Sequence, residues 1–226
     1  MYKFDLHCHC AEGSFCAKAS LKELIPAYKK AGYDGIVLTN HFIRDMIGRF
    51  GDYRSLVENQ WQTHLQAKAV GEACGLTVLF GFEFRYQYYD FLVYGLSPDF
   101  LLANPDLFAV DFAEFSRRVH AQSGFIIQAH PFRYVKQPLY VPLDGVDAYE
   151  IYNGSHCSGA YPTFYNDMAE MFAREMEKIG TAGSDTHRVT EDGLPHRHAA
   201  TLFEHPVSCI EDLIEQIKNQ TFQIEK

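Results

Sequence analysis

Five short pieces of the chain carry residue types suited to holding a cation. They are His7-Cys8-His9 in DLHCHC, Thr39-Asn40-His41, Glu83 in FGFEFR, Ala129-His130-Pro131, and Asp185-Thr186-His187 in TAGSDTHR. In an extended chain, residues two apart point to one side. His7 and His9 can therefore grip one ion, while Cys8 and Cys10 face away as small core residues. Asp185 and His187 repeat that spacing. Glu83 follows the apolar run VLFGF, and a carboxylate there is costly to bury unpaired; a metal or Arg85 would serve as its cation. Zinc thiolate sites use cysteines two to four residues apart, a pattern this chain lacks. Each piece alone is weak, but the five together point to a metal centre.

The elements that must position these residues read as alternating strands and helices. Strands are expected at 2–7, 35–39, 77–82, 91–94, 124–129, 146–151, 180–183 and 200–203. Helices are expected at 20–31, with Ser20 as N-cap, Glu23 at the third position and Gly32 as the stop, and at about 54–74, 111–122, 162–178 and 208–219. This alternation favours a parallel α/β sheet. His7, His9, His41, Glu83, His130, Asp185 and His187 all fall at or just after strand carboxyl ends, where barrels build their sites. A closed or distorted barrel is the leading architecture, with an open doubly wound sheet second.

With 226 residues, 47% hydrophobic and 22% charged, the chain has the proportions of one globular domain. Neither a membrane span nor a signal core is visible, which sets a cytoplasmic location as the default expectation. The six cysteines are then expected as free thiols. The net charge of −9 and the lack of a basic stripe disfavour nucleic acid as a partner; bound divalent cations would offset part of that charge.

The pieces DLHCHC, TNH, GFE, AHP and GSDTH, in that order, resemble the metal motifs of the PHP (polymerase and histidinol phosphatase) family. The resemblance runs from residue 2 to about residue 190. It implies a distorted (β/α)7 TIM-like barrel, a single PHP-type domain over residues 1–226, and two or three divalent ions, variously zinc, manganese or iron. Carried over residue by residue, His7, His9, Glu83 and Asp185 would surround a first ion. Glu83 would bridge to a second ion also held by His130, and His41 and His187 would hold a third. At two further ligand positions this chain offers Asp90 and Glu12. Both are oxygen donors, which shifts preference from zinc toward manganese, iron or magnesium.

Arg44, Arg85, Arg133 and Arg188 each follow one of these motifs closely. Guanidinium forks suit phosphate oxygens, so Arg133 and Arg188 are expected as phosphate clamps, with Asp185 and His187 at the chemistry. Glu150 and Asn153 resemble the family's E-x-x-N segment and are expected to support the ligands. His156 reads as a solvated loop residue, and His64, His120 and His205 as structural. The implied activity is a metal-dependent phosphoesterase acting on a small phosphorylated substrate through activated water. A metal-dependent amide or ester hydrolase and a non-catalytic metal-binding regulatory domain are the alternatives.

Overall fold

The computed structural model describes residues 1–133, 143–157, 159 and 161–226. In chain order the strands are β1 (Tyr2–Cys8), β2 (Gly35–Leu38), β3 (His41–Phe42), β4 (Thr77–Tyr86), β5 (Tyr89–Tyr94), β6 (Phe125–Ala129), β7 (Ala148–Asn153), β8 (Ile179–Gly183), β9 (Ala200–Phe203) and β10 (Phe222–Glu225). The helices are α1 (Leu21–Lys30), α2 (Arg44–Phe50), α3 (Tyr53–Cys74), α4 (Pro98–Ala103), α5 (Phe112–Ala121), α6 (Phe164–Glu175) and α7 (Ile210–Asn219).

The strands form one sheet in the order β10-β9-β1-β2-β4-β5-β6-β7-β8, with the short β3 beside β4. The sheet curls until its β8 end meets β1. Asp185 N–H donates to the His7 carbonyl at 2.7 Å, and His9 N–H donates to the Thr186 carbonyl at 2.9 Å. The result is a nearly closed, mixed α/β barrel. The closing bonds are made by the residues expected to be ligands, so the seam and the site are one place.

The sheet is not wholly parallel, as the alternation suggested. β5 runs antiparallel to both β4 and β6, and β9 to β1. Only Gln87 and Tyr88 separate β4 from β5, and Gln87 has φ of 54°. A two-residue link permits only a hairpin, because a parallel crossover needs a dozen or more residues. Neither residue is a usual turn former, which hid the hairpin. β4 also runs on to Tyr86, so Glu83 lies inside a strand rather than behind one.

Local rules explain the helices that position the site. At the start of α1, Glu23 Oε2 accepts from Ser20 N at 2.9 Å and from Ser20 Oγ at 2.7 Å, the expected capping box. Leu21, Leu24, Ile25 and Tyr28 form its buried stripe and pack with Cys8, Cys10, Ile36 and Leu38. Cys8 and Cys10 thus lie on the core side of the chain, away from His7 and His9. A second cluster joins Phe4 and Leu6 of β1 to Val37, Leu92, Tyr94, Ile127 and Ala148, holding strands from around the barrel together.

Candidate metal centre

The barrel mouth gathers His7, His9, His41, Glu83, His130, Asp185 and His187, all seven residues drawn from the five motifs. Their donor atoms form three overlapping groups, each within 4.8 Å: His7/His9/Asp185, His7/Glu83/His130 and His9/His41/His187. Two members have left-handed backbones, Asp185 at φ 54° and His130 at φ 29°. Non-glycine residues rarely adopt this region. The Asp185 turn aims its N–H at the β1 carbonyl and its carboxylate into the cluster.

His7 is set from behind. Its Nδ1 lies 2.9 Å from Glu150 Oε1, whose other oxygen accepts from His130 N and from Asn153 Nδ2, each at 2.8 Å. A carboxylate on Nδ1 draws the ring proton there and leaves Nε2 with a bare lone pair. His9 is set likewise, its Nδ1 3.3 Å from Ser14 Oγ. The two Nε2 atoms then face each other at 3.0 Å. Two lone pairs at that distance repel unless a proton or a cation lies among them. Asp185 Oδ1 stands 3.6 Å from His7 Nε2 and 3.3 Å from His9 Nε2.

Glu83, only 1% exposed, spans the site. Its Oε1 is 2.9 Å from His130 Nε2. Its Oε2 comes within 2.7 Å of His41 Nδ1, yet neither of these two atoms has a hydrogen bond of acceptable geometry. The carboxylates and imidazoles lean on one another's charge. Burial works against a charged His7, but Glu150, Asp185 and Glu83 outweigh it and hold His7 well above its usual range. Burial together with the neighbouring His187 and His41 holds His9 well below. Burial opposes ionisation of Asp185, and Arg133 and His7 overcome it. A neutral His9 beside ionised Glu83 and Asp185 is the donor state a divalent ion takes, so these residues fit one on chemical grounds.

A cavity of about 400 Å³ opens over the cluster, and its walls carry Lys18, Arg85, Arg133, Arg188 and Arg197. Arg188, expected as a phosphate clamp, lines it. Arg133, also expected as a clamp, lines it too, and its Nη2 donates to Asp185 Oδ2 at 2.5 Å, to Asn153 Oδ1 at 3.1 Å and to Ser155 Oγ. Both charges are buried, and each neutralises the other.

Two expected ligands have other partners, though Asp90 still lines the cavity. Glu12 accepts from Leu21 N at 3.0 and 3.1 Å at the start of α1, where a carboxylate is favoured by the helix dipole. Asp90 takes both arms of Arg85, at 2.7 and 3.1 Å, because β4 and β5 pair these two residues directly. Neither belongs to the three donor groups. His156 is buried, not solvated, with Nδ1 2.9 Å from Asn166 Oδ1. Sequence reasoning passed over Arg197, whose Nη1 donates to the Asp185 carbonyl at 2.6 Å, and also Ser14 and Cys16. No local pattern singled these out.

The same fold is found in solved structures to which this chain is similar. It aligns over 99% of its length, at TM-score 0.70 and 16% identity, with a two-domain protein from Bacteroides vulgatus described as containing a predicted PHP-like metal-dependent phosphoesterase. The chain has the PHP-like fold. It spans 64% of that protein. An amidohydrolase from Chromobacterium violaceum, solved with sulfate and no metal, matches at TM-score 0.60 and 15% identity, over 99% of this chain and 97% of its own. A lesion-specific endonuclease from Pyrococcus furiosus matches at TM-score 0.64 and 12% identity, over 99% of this chain and 57% of its own. Residues 163–222, from α6 into β10, match the family model described as PHP-associated. That match covers about a quarter of the chain, and the solved structures, at 12–16% identity, show the fold. No curated protein matches the chain. Among the described residues, no helix is long and apolar enough to cross a membrane.

Proposed function

We propose that this chain is a metal-dependent phosphoesterase that hydrolyses a small phosphate ester. The facing Nε2 atoms of His7 and His9, 3.0 Å apart beside Asp185 and Glu83, carry the proposal. His7, His9, Glu83 and Asp185 would hold one ion, Glu83 and His130 a second, and His41 and His187 a third. When bound, such ions polarise a phosphoryl oxygen and lower the pKa of water. Around them the chain's own residues do the rest. Arg188 and Lys18 on the cavity wall bind the anionic ester. Arg133 and Arg197 fix the Asp185 carboxylate and carbonyl, so that its donor atom stays aimed. Glu150 holds the His7 ring and the His130 backbone N–H, which limits reorganisation during reaction.

A second reading comes from the fold. One similar structure is an endonuclease, so a nucleic-acid phosphodiester joins the substrate classes to be tested, against the initial expectation from net charge. The experiment is elemental analysis of protein purified without chelator, followed by turnover after reloading with zinc, manganese or iron(II). An aryl phosphate monoester, a phosphodiester oligonucleotide and a carboxylic ester form the substrate arms. About two to three ions per chain and metal-restored monoester turnover are expected. Less than half an equivalent after reloading would remove the metal centre. Turnover of the oligonucleotide alone or the carboxylic ester alone would move the function to that class.

A further inference from the structure

We propose that Cys16 supplies a thiolate ligand to the ion that His41 and His187 would hold. The inference rests on the metal-centre reading above and adds a donor that the five motifs do not contain.

The loop between β1 and α1 carries the argument. Glu12, the acid expected to complete this position, is turned to the start of α1. Cys16, an exposed residue, lines the cavity beside His41 and His187. The loop is not free to swing. Ser14 N–H donates to the Cys10 carbonyl at 2.9 Å, Ala17 N–H to the Ser14 carbonyl at 2.9 Å, and Lys18 N–H to the His187 carbonyl at 2.7 Å. Ser14 Oγ also accepts from His41 N at 2.8 Å. Cys16 is therefore held between two anchors that each lead to one of the histidines with which it lines the cavity.

A second observation points to a ligand at the same place. Glu83 Oε2, in a residue 1% exposed, lacks a hydrogen-bond partner although it stands 2.7 Å from His41 Nδ1 and 3.5 Å from His9 Nε2. His187 Nδ1 is committed to the Asp185 carbonyl at 2.9 Å, which leaves its Nε2 as a donor. Nitrogens of His9, His41 and His187 lie within 4.8 Å of one another. Three imidazoles, a buried carboxylate oxygen and a thiol at the rim make a set that a positive centre would satisfy. Cys8 and Cys10 are packed on the core side, and the Cys157 thiol faces Tyr152 at 3.3 Å, so Cys16 is the cysteine in position. Thiolate with imidazole suits zinc or iron(II) better than manganese or magnesium. This position should therefore be softer than the carboxylate-rich ones beside it, the reverse of the preference an oxygen donor from Glu12 would impose.

The test loads the chelator-stripped chain with cobalt(II) under reducing conditions. It compares the wild type with Cys16→Ala and Cys16→Ser, reading near-ultraviolet sulfur-to-cobalt charge-transfer absorption, cobalt per chain and circular dichroism. A charge-transfer band in the wild type, absent from both variants, is expected. The weakest cobalt site should lose at least about tenfold in affinity in Cys16→Ala, since even an outer partner of a metal ligand is worth that much. Both variants should fold, because Cys16 is exposed. Full cobalt binding without a band in the wild type would overturn the Cys16 assignment and leave the metal centre standing. A band that survives in both variants would also overturn it. Failure of the wild type to bind cobalt would remove both readings.

Discussion

Asp185→Asn separates what the site's charge does for the fold from what it does for chemistry. Asparagine tolerates the left-handed backbone at φ 54°, so the turn itself should persist. The lost charge leaves Arg133, whose side chain is 8% exposed, without its carboxylate. Removing one partner of a buried pair costs about 3–5 kcal/mol. Arg133 keeps Asn153 and Ser155 as acceptors, which places the loss at the low end, about 3 kcal/mol. Arg133→Met removes the cation, and in the double variant neither charge is stranded. A double-mutant cycle should give a coupling of about 2 kcal/mol. Denaturant melts of chelator-stripped protein measure it, since bound ions would mask the difference. Turnover should respond differently. Asp185→Asn should cut metal-loaded phosphoesterase activity by at least ~10³-fold, and Arg133→Met should not restore it. A folded Asp185→Asn that keeps its ions and near wild-type turnover, with no coupling to Arg133, would refute both halves of the reasoning.

Glu150→Gln should loosen His7 and His130 together and weaken the tightest metal site about 10–100-fold by calorimetric titration; unchanged affinity would show that the His7 ring is set by packing alone. Asp90→Asn should leave metal stoichiometry unchanged, because Asp90 is committed to Arg85, and should instead lower stability by roughly 1–3 kcal/mol; loss of an ion on elemental analysis would make Asp90 a ligand after all. Burial, aided by Lys68, lowers His64 from 6.5 to about 4. A depressed folded value means the unfolded chain binds the proton first, so stability is full above pH 6.5 and lost as pH falls toward 4. At about 1.4 kcal/mol per unit, His64 accounts for up to roughly 3 kcal/mol of that loss. His64→Leu should flatten the acid limb of the melting profile while costing little near neutrality, since His64 Nδ1 has no hydrogen-bond partner. An equally steep acid limb would rule this out.

The spacing of histidines and carboxylates, the strand ends at which all but Glu83 fall, and the capped start of α1 were legible in the chain itself. These depend on strand periodicity and local backbone chemistry, which act over a few residues. His7 and His9 share a side because the β-strand repeat is two, whatever surrounds them. Partner choice was settled only by the tertiary structure. Glu12 went to the α1 amide, Asp90 to Arg85 and Arg133 to Asp185, each toward the partner that folding brought nearest. The order of strands, the antiparallel β5 and the seam between Asp185 and His7 likewise depend on residues far apart in the chain. Buried charges must be neutralised wherever the fold leaves them. A sequence specifies which residues can bind a cation, and only the packed barrel decides which of them still have a free lone pair when it closes.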